Sequence, residues 1–240
     1  MRCDKMNSQW QIDFFTGLNN AVDMQDVLDI TLKTIKPFGF DFCGWRSKLP
    51  LPLSQRKFST LRANEDKVSE QEDNGFYDEA PVAKHCAIST EPISWRGTTE
   101  DATFLAAPHL IEEYYGSGHF GGWAQSMIES KNMFSMILVD STVVLDQKDI
   151  DNVDLKMQWV TTAVLSKMNQ FRLQPNVKLS EREKEVLTWS GDGKTGWEIS
   201  QILNLSQSTI NFHMRNAMLK LNAPNKTSAV VKAIYLNLLH

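Results

Sequence analysis

Residues 179–221 read LSEREKEVLTWSGDGKTGWEISQILNLSQSTINFHMRNAMLKL, and their punctuation predicts three short helices. Ser180 is placed to cap the first, and Glu181 and Glu183 put negative charge in its first turn, where a helix N-terminus favours it. Val186 and Leu187 supply a buried face, and Gly191 and Gly193 end the helix. Thr195 caps a second helix in which Ile199, Ile202 and Leu203 recur at three- and four-residue spacing. After the break at Asn204-Leu205, Ser206 caps a third helix from Gln207 to about Lys220, with Ile210, Ala217 and Leu221 turned inward.

Two helices joined by a short turn, the second showing polar and basic side chains outside, make a helix-turn-helix. If Ile210 points inward, Gln207, Ser208, Asn211 and Arg215 point largely outward. An amide pairs bidentately with adenine and a guanidinium with guanine in the major groove. Helix pattern alone leaves an ordinary three-helix bundle with a polar surface equally open. The individual residues go further. L-[ST]-x-R-E-x-E-V-L falls on Leu179–Leu187, G-K-[ST] on Gly193, Lys194 and Thr195, and E-I on Glu198 and Ile199. L-S-x-x-T-[VI]-x-x-H-x-x-N falls on Leu205, Ser206, Thr209, Ile210, His213 and Asn216; K-L on Lys220 and Leu221; N-K on Asn225 and Lys226. This segment resembles the DNA-binding domain of LuxR-type transcription regulators, in register throughout. The resemblance implies a homodimer setting two recognition helices in successive major grooves of a pseudo-palindromic operator, about 34 Å apart. Asn211, Phe212 and Arg215 are the candidates for base edges, Phe212 through a thymine methyl. Lys194, Thr195, Gln207, Ser208, Thr209 and Lys226 are the candidates for phosphate positioning. His213 is expected to pack against the second helix.

The charge distribution agrees. Of the chain's 25 Lys/Arg and 29 Asp/Glu, residues 176–240 hold eight and five, a net +3, which leaves 17 and 24, a net −7, for the rest. A modestly basic part facing phosphate, doubled by dimerisation, fits that asymmetry. Three dispersed cysteines (Cys3, Cys43, Cys86) without a C-x-x-C indicate neither a disulfide framework nor a zinc site. No apolar run approaches the ~18 residues of a membrane span, and the N-terminus lacks an apolar secretory core. The expectation is a cytoplasmic protein with no cofactor, no metal and no membrane partner.

Upstream, residues 10–22 and 24–35 read as helices, the second with Val27, Leu28, Ile30, Thr31 and Ile35 on one face before Pro37-Phe38-Gly39. Residues 39–49 and 56–63 read as strands, 64–78 as an acidic surface segment, 81–89 as a short helix and 92–95 as a short strand. Residues 104–115 look helical around Pro108, and WAQSMIES and MFSMILVD form a hairpin turned by Lys131-Asn132. A long helix from about 147 to 171 offers Val153, Leu155, Met157, Val160, Val164 and Met168 for packing. The predicted architecture is an α+β domain, an antiparallel sheet packed between helices, over residues 1–171. A linker over 172–178 and an all-α, four-helix helix-turn-helix domain over 179–240 follow. The last helix, 227–239, carries more apolar residues than a small bundle needs, and by family resemblance part of it dimerises.

The first part resembles, more sparsely, the acyl-homoserine-lactone domain of the quorum-sensing branch of the same family. That branch's D-P-[VI]-x-x-H…T-P-[FI]-x-W reads here APVAKHCAISTEPISW, keeping Pro81, Val82, His85, Thr90, Pro92 and Trp95, and the glycine before its hairpin falls on Gly122. His85 reads as a packed or capping histidine. The departures matter more. The aspartate that takes the lactone's amide N–H is replaced by Ala80, and Asp78, two residues away, is not counted as its substitute. The tryptophan and tyrosine that donate to the ligand's carbonyls fall on Lys67 and Gln71, or, in a register one residue later, on Val68 and Glu72. Each lost charged hydrogen bond costs about 1.5–3 kcal/mol, so three together remove orders of magnitude of affinity. The resemblance therefore implies an orphan regulator that does not bind acyl-homoserine lactones in the usual way, its cavity filled by its own side chains or taking another ligand. Trp95 and its aromatic neighbours Phe76, Tyr77 and Trp123 read more as core than as a ligand box. A decoy that heterodimerises with a ligand-responsive relative is the alternative, and the intact recognition helix argues against it. An enzyme built on His85, His109 or His119 with Cys86 or Asp78 lacks any accompanying nucleophile, metal or phosphate-loop signature.

Overall fold

A computed structural model describes residues 9–48, 58–63, 75–130, 133–172 and 177–239 of the chain. They fall into two compact units, the first ending at residue 169 and the second following it. In the first, helices α1 (Gln9–Asn20) and α2 (Met24–Ile35) precede strand β1 (Phe42–Lys48). Asp23 caps α2 by accepting from the Asp26 N–H, and Val27, Leu28, Thr31, Leu32 and Ile35 make its buried face. Strand β2 (Phe58–Arg62), helix α3 (Pro81–Cys86), strand β3 (Ile93–Trp95) and helices α4 (Ala102–Ala106) and α5 (Pro108–Gly116) come next. Strands β4 (Gly122–Ser130) and β5 (Met133–Asp140) form the expected hairpin, and α6 (Gln147–Arg172) closes the unit. The sheet is antiparallel throughout, in the order β2-β1-β5-β4-β3.

Both faces of this sheet are covered, which is why β5 is buried along almost its whole length. Side chains alternate across a strand, so the register sorts them. One face carries Trp45 opposite Ile137 and Trp123 opposite Val139. Helix α6 lies over it: the Trp123 indole N–H donates to Asp154 at 2.9 Å, and the Thr161 hydroxyl donates to Gln125 at 2.6 Å. The other face carries Arg46 opposite Met136, Gly44 opposite Leu138 and Trp95 opposite Gly122, with Val82 and Cys86 of α3 packed onto it.

Several sequence expectations shift. The helix foreseen over 104–115 is two, because Ala107 is extended (φ −154°) and Pro108, which has no N–H to continue α4, starts α5. The first helix stops at Asn20, leaving Val22 exposed, and α3 stops at Cys86. Leu155 does not pack: two residues from the buried Met157 it lies about 200° around the helix, 79% exposed. Residues 64–74, which include Lys67, Val68, Gln71 and Glu72, and the turn at 131–132 lie outside the described residues. Helix α6 runs to Arg172, one residue into the stretch expected as linker.

The second unit holds α7 (Glu181–Gly191), α8 (Gly196–Leu203), α9 (Gln207–Lys220) and α10 (Lys226–Tyr235). Ser180, Thr195 and Ser206 cap the first three as the sequence predicts, and Ser180–Glu183 and Thr195–Glu198 are complete capping boxes. Val186, Leu187, Ile199, Ile210, Met214 and Ala217 form the centre of the core, joined by Ala229 and Ala233 of α10. Ile202, expected inside, is 44% exposed; Ile199 and Leu203 fix the inward direction of α8, and Ile202 falls about 80° to its flank. The last helix ends at Tyr235, not Leu239, and Leu238 and Leu239 fold back against the same core.

Glu183 ties the first and third helices of this unit together. Its carboxylate accepts from the Ser180 N–H at 2.7 Å and from Lys220 Nζ at 2.8 Å. Burial alone would raise its pKa, but the Lys220 ammonium and the Ser180 groups outweigh that and hold it below the ordinary value of 4.5. The folded state therefore sheds this proton more readily than the unfolded chain. The stabilisation is complete above the ordinary carboxylate range and is lost as pH falls through the folded value. We expect urea midpoints of the helix-turn-helix unit to drop as pH is lowered below about 4.5. Glu183→Gln should flatten that slope while costing about 1–2 kcal/mol at pH 7; an unchanged slope would refute the assignment.

Candidate functional site

The turn between α8 and α9 sets the geometry of the outer surface. Asn204 closes α8 in the left-handed region (φ 52°), which asparagine tolerates better than most residues, and the Leu205 N–H returns to the Ser200 carbonyl. Ser206 then starts α9, whose Ile210, Met214 and Ala217 are buried. Burying that stripe leaves Gln207, Ser208, Asn211, Phe212 and Arg215 exposed, with Thr209 half-buried. Phe212 is 59% exposed, a large apolar group whose ring meets that of His213 at a steep angle (centroids 5.6 Å apart). His213 itself is half-buried.

The sequence-predicted polar residues divide by what already occupies them. Ser208 and Thr209 hydroxyls both lie 2.7 Å from Ser206 Oγ, so they brace the cap. The Thr195 hydroxyl donates to Glu198 at 2.8 Å, which leaves Lys194, exposed beside it, as the cation of that corner. The space above the α carbon of Gly196 opens toward Asn211 Oδ1 and Gln207 Nε2, so the start of α8 and the outer face of α9 form one surface. Lys226 is exposed on a separate element, at the first position of α10. Sequence reasoning passed over Trp197, 61% exposed on the second position of α8. Its signal was there: an indole where the helix pattern calls for a surface residue.

A second site lies in the first unit, on the sheet face under α3, α4 and α5. It is a cavity with about 600 Å³ of empty space, its open mouth included. Ala80 and Trp95 line it. Gly122 does not; it sits beneath the Trp95 ring, where any Cβ would collide. The Trp95 indole N–H is held by the Phe120 carbonyl at 2.7 Å. Trp123 belongs to the opposite face and is core, as expected, whereas Tyr77 lines the cavity. Arg46, Arg62, Thr103 and Tyr114, which the sequence reading did not single out, line it as well. Arg46 is 6% exposed, donates to Asp78 at 2.8 Å and to Thr60 at 3.3 Å, and stacks on Phe58 with 4.2 Å to the ring centroid. The Asp78 carboxylate is thus engaged by the protein.

The histidines do not assemble chemistry. His85 donates from Nε2 to the Glu91 carbonyl at 2.8 Å, closing the loop after α3, and His109 is fully exposed. His119 is buried between Phe42 and Tyr114, 3.6 Å from Asp140. Burial pushes the Cys86 thiol up to about 12, far from a nucleophilic thiolate. Among the described residues, no three His, Cys, Asp or Glu side chains gather as a metal site, and no helix is long and apolar enough to cross a membrane.

An exposed recognition helix in one unit and a cavity against a sheet in the other match two family models. Residues 177–233 match the bacterial regulatory proteins of the luxR family, and residues 23–168 match the autoinducer binding domain. The chain belongs to the LuxR family. It is 31% identical to the transcriptional activator AnoR of Acinetobacter nosocomialis, over 96% of this chain and 99% of AnoR. It is 30% identical to the transcriptional activator SolR of Ralstonia solanacearum, over 92% and 95%. Escherichia coli SdiA shares its fold, with a TM-score of 0.72 at 24% identity, covering 99% of this chain and all of that one. This LuxR-family chain is a quorum-sensing type transcription regulator with a helix-turn-helix DNA-binding domain, and its family is one of regulators rather than enzymes.

Proposed function

We propose that the protein acts in the cytoplasm as a homodimeric DNA-binding regulator whose sensory pocket does not take acyl-homoserine lactones in the usual way. One observation carries the DNA reading: Asn211, Phe212 and Arg215 stand exposed on a helix whose opposite face is fixed by Ile210, Met214 and Ala217. Asn211 and Arg215 then read base edges, Phe212 meets a thymine methyl, Lys194 and Lys226 neutralise phosphate, and Gln207 hydrogen-bonds to it. A net +3 over residues 176–240 of each copy favours two copies on one pseudo-palindromic operator.

The ligand reading rests on Ala80. At that position in the pocket wall there is no carboxylate to accept a lactone's amide N–H, and Asp78 is already bonded to Arg46. The hollow beneath Trp95 favours another ligand over a filled, ligand-independent core. SdiA, of the same fold, has been solved in complex with octanoyl-rac-glycerol, a ligand without a lactone. Gel shift of the purified chain alone against duplexes selected from a random pool tests the first half. Specific binding is expected, and its absence would favour a decoy acting through heterodimers. Calorimetry with a panel of acyl-homoserine lactones tests the second half, and nanomolar binding of any member would overturn it.

A further inference from the structure

The described wall of the pocket carries charge of one sign. Its described lining carries two guanidinium groups, Arg46 and Arg62, and no carboxylate; Asp78 offsets Arg46 from outside the lining. Both arginines reach the same sheet face because β1 and β2 pair with Gly44 opposite Arg62 and Arg46 opposite Thr60. Gly44 lines a second hollow with about 380 Å³ of empty space, its open mouth included, and the two hollows share Arg46, Arg62 and Leu138. The guanidinium pair therefore belongs to the walls of both hollows, the smaller of which also carries the Asp140 carboxylate. Beyond the pair the main chamber is apolar and aromatic, with the hydroxyl-bearing side chains of Tyr77, Tyr114 and Thr103 in its wall. Thr103, in that wall, is 5% exposed, and its hydroxyl has no hydrogen-bond partner among the described residues.

A neutral lactone or alcohol gains little from two guanidinium groups, whereas a carboxylate gains charge-assisted, fork-shaped hydrogen bonds. Both arginines also have contacts within the protein. Five N–H donors on each guanidinium let one group serve a protein acceptor and a ligand together. Thr103 adds a hydroxyl for an ether, hydroxyl or second oxygen on the ligand. We propose that this pocket binds a small amphiphilic carboxylate, its carboxylate at Arg46 and Arg62 and its short alkyl or aryl tail against Trp95, Ile111 and Met136. The assignment rests on the reading that lactones are not bound in the usual way.

Calorimetry on the full chain with octanoate, 1-octanol and N-octanoyl-homoserine lactone tests it. Octanoate is expected to bind at least tenfold more tightly than octanol and to weaken as salt rises. Arg62→Gln should remove that tenfold preference while leaving octanol binding in place. If Arg62→Gln does not give a native melting transition, Arg62→Lys, which keeps the charge but not the fork, should weaken octanoate selectively. Octanol matching octanoate, no octanoate binding, or a preference that survives both substitutions would overturn the proposal. Tight binding of the lactone alone would overturn the reading beneath it, whereas failure of octanoate and lactone together would sink only the carboxylate. Gel shift on the same preparations tests DNA binding independently.

Discussion

Gly122→Ala is expected to destabilise the first unit by roughly 3 kcal/mol, at the upper end for a single added methyl in a packed core. A methyl there would enter the Trp95 ring and stand 2.6 Å from the Val139 carbonyl oxygen. Both obstacles sit on strands paired to β4, Trp95 directly opposite Gly122 on β3 and Val139 on β5, so neither moves without breaking ladder hydrogen bonds. The φ at Gly122 is not in the left-handed region, and the cost is therefore one of space rather than backbone conformation. For a chain of this size the loss corresponds to a fall in melting temperature of roughly 6–12 °C. Gly116→Ala is the control: a methyl there meets nothing within 4 Å, and the change should stay within about 0.5 kcal/mol. Trp95→Leu in the Gly122→Ala background should recover part of the loss, since it removes the ring but not the carbonyl. A Gly122→Ala protein that melts with the wild type would refute this account of the glycine.

Sequence marked Gly122 only through the family resemblance, as the glycine before a hairpin; its reason lies 27 residues away in Trp95. The same contrast runs through the molecule. Ser180, Thr195 and Ser206 were readable because an N-cap bonds to a backbone N–H three residues on, an interaction local in sequence. The recognition helix was readable for a related reason, since burying Ile210 on a regular helix dictates where Asn211 and Arg215 point. The pocket was not. Arg46 finds Asp78 across 32 residues and Thr60 across 14, through strand pairing that no local pattern specifies. One clue was available and unused: an arginine in the middle of FCGWRSK, a strand buried on both faces, must be paired or must serve a ligand. Leu155 and Ile202 show the opposite error. Their apolar character suggested core, but a helix faces its core along a stripe, and both fall outside it.

Arg215→Ala should weaken binding to a selected operator by about 1–3 kcal/mol, and the triple variant Asn211→Ala/Phe212→Ala/Arg215→Ala should bring it close to the level of random duplex. Specific binding exceeds non-specific binding by typically about 4–10 kcal/mol, an advantage that three base-edge contacts at about 1–3 kcal/mol each can largely supply. Asn211 and Arg215 are one helical turn apart, so their losses need not add, and the triple variant is the decisive one. All three side chains are exposed, and the melting temperature is expected to stay where it was. That separates a reading surface from a structural one, because a buried residue would lower both quantities. Lys194→Ala provides the converse: an exposed cation beside the α8 cap, it should weaken operator and random duplex alike and reduce the salt dependence by about one ion. A triple variant that still prefers the operator over random duplex would mean that specificity resides outside α9, and the assignment of its outer face as the reader would fail.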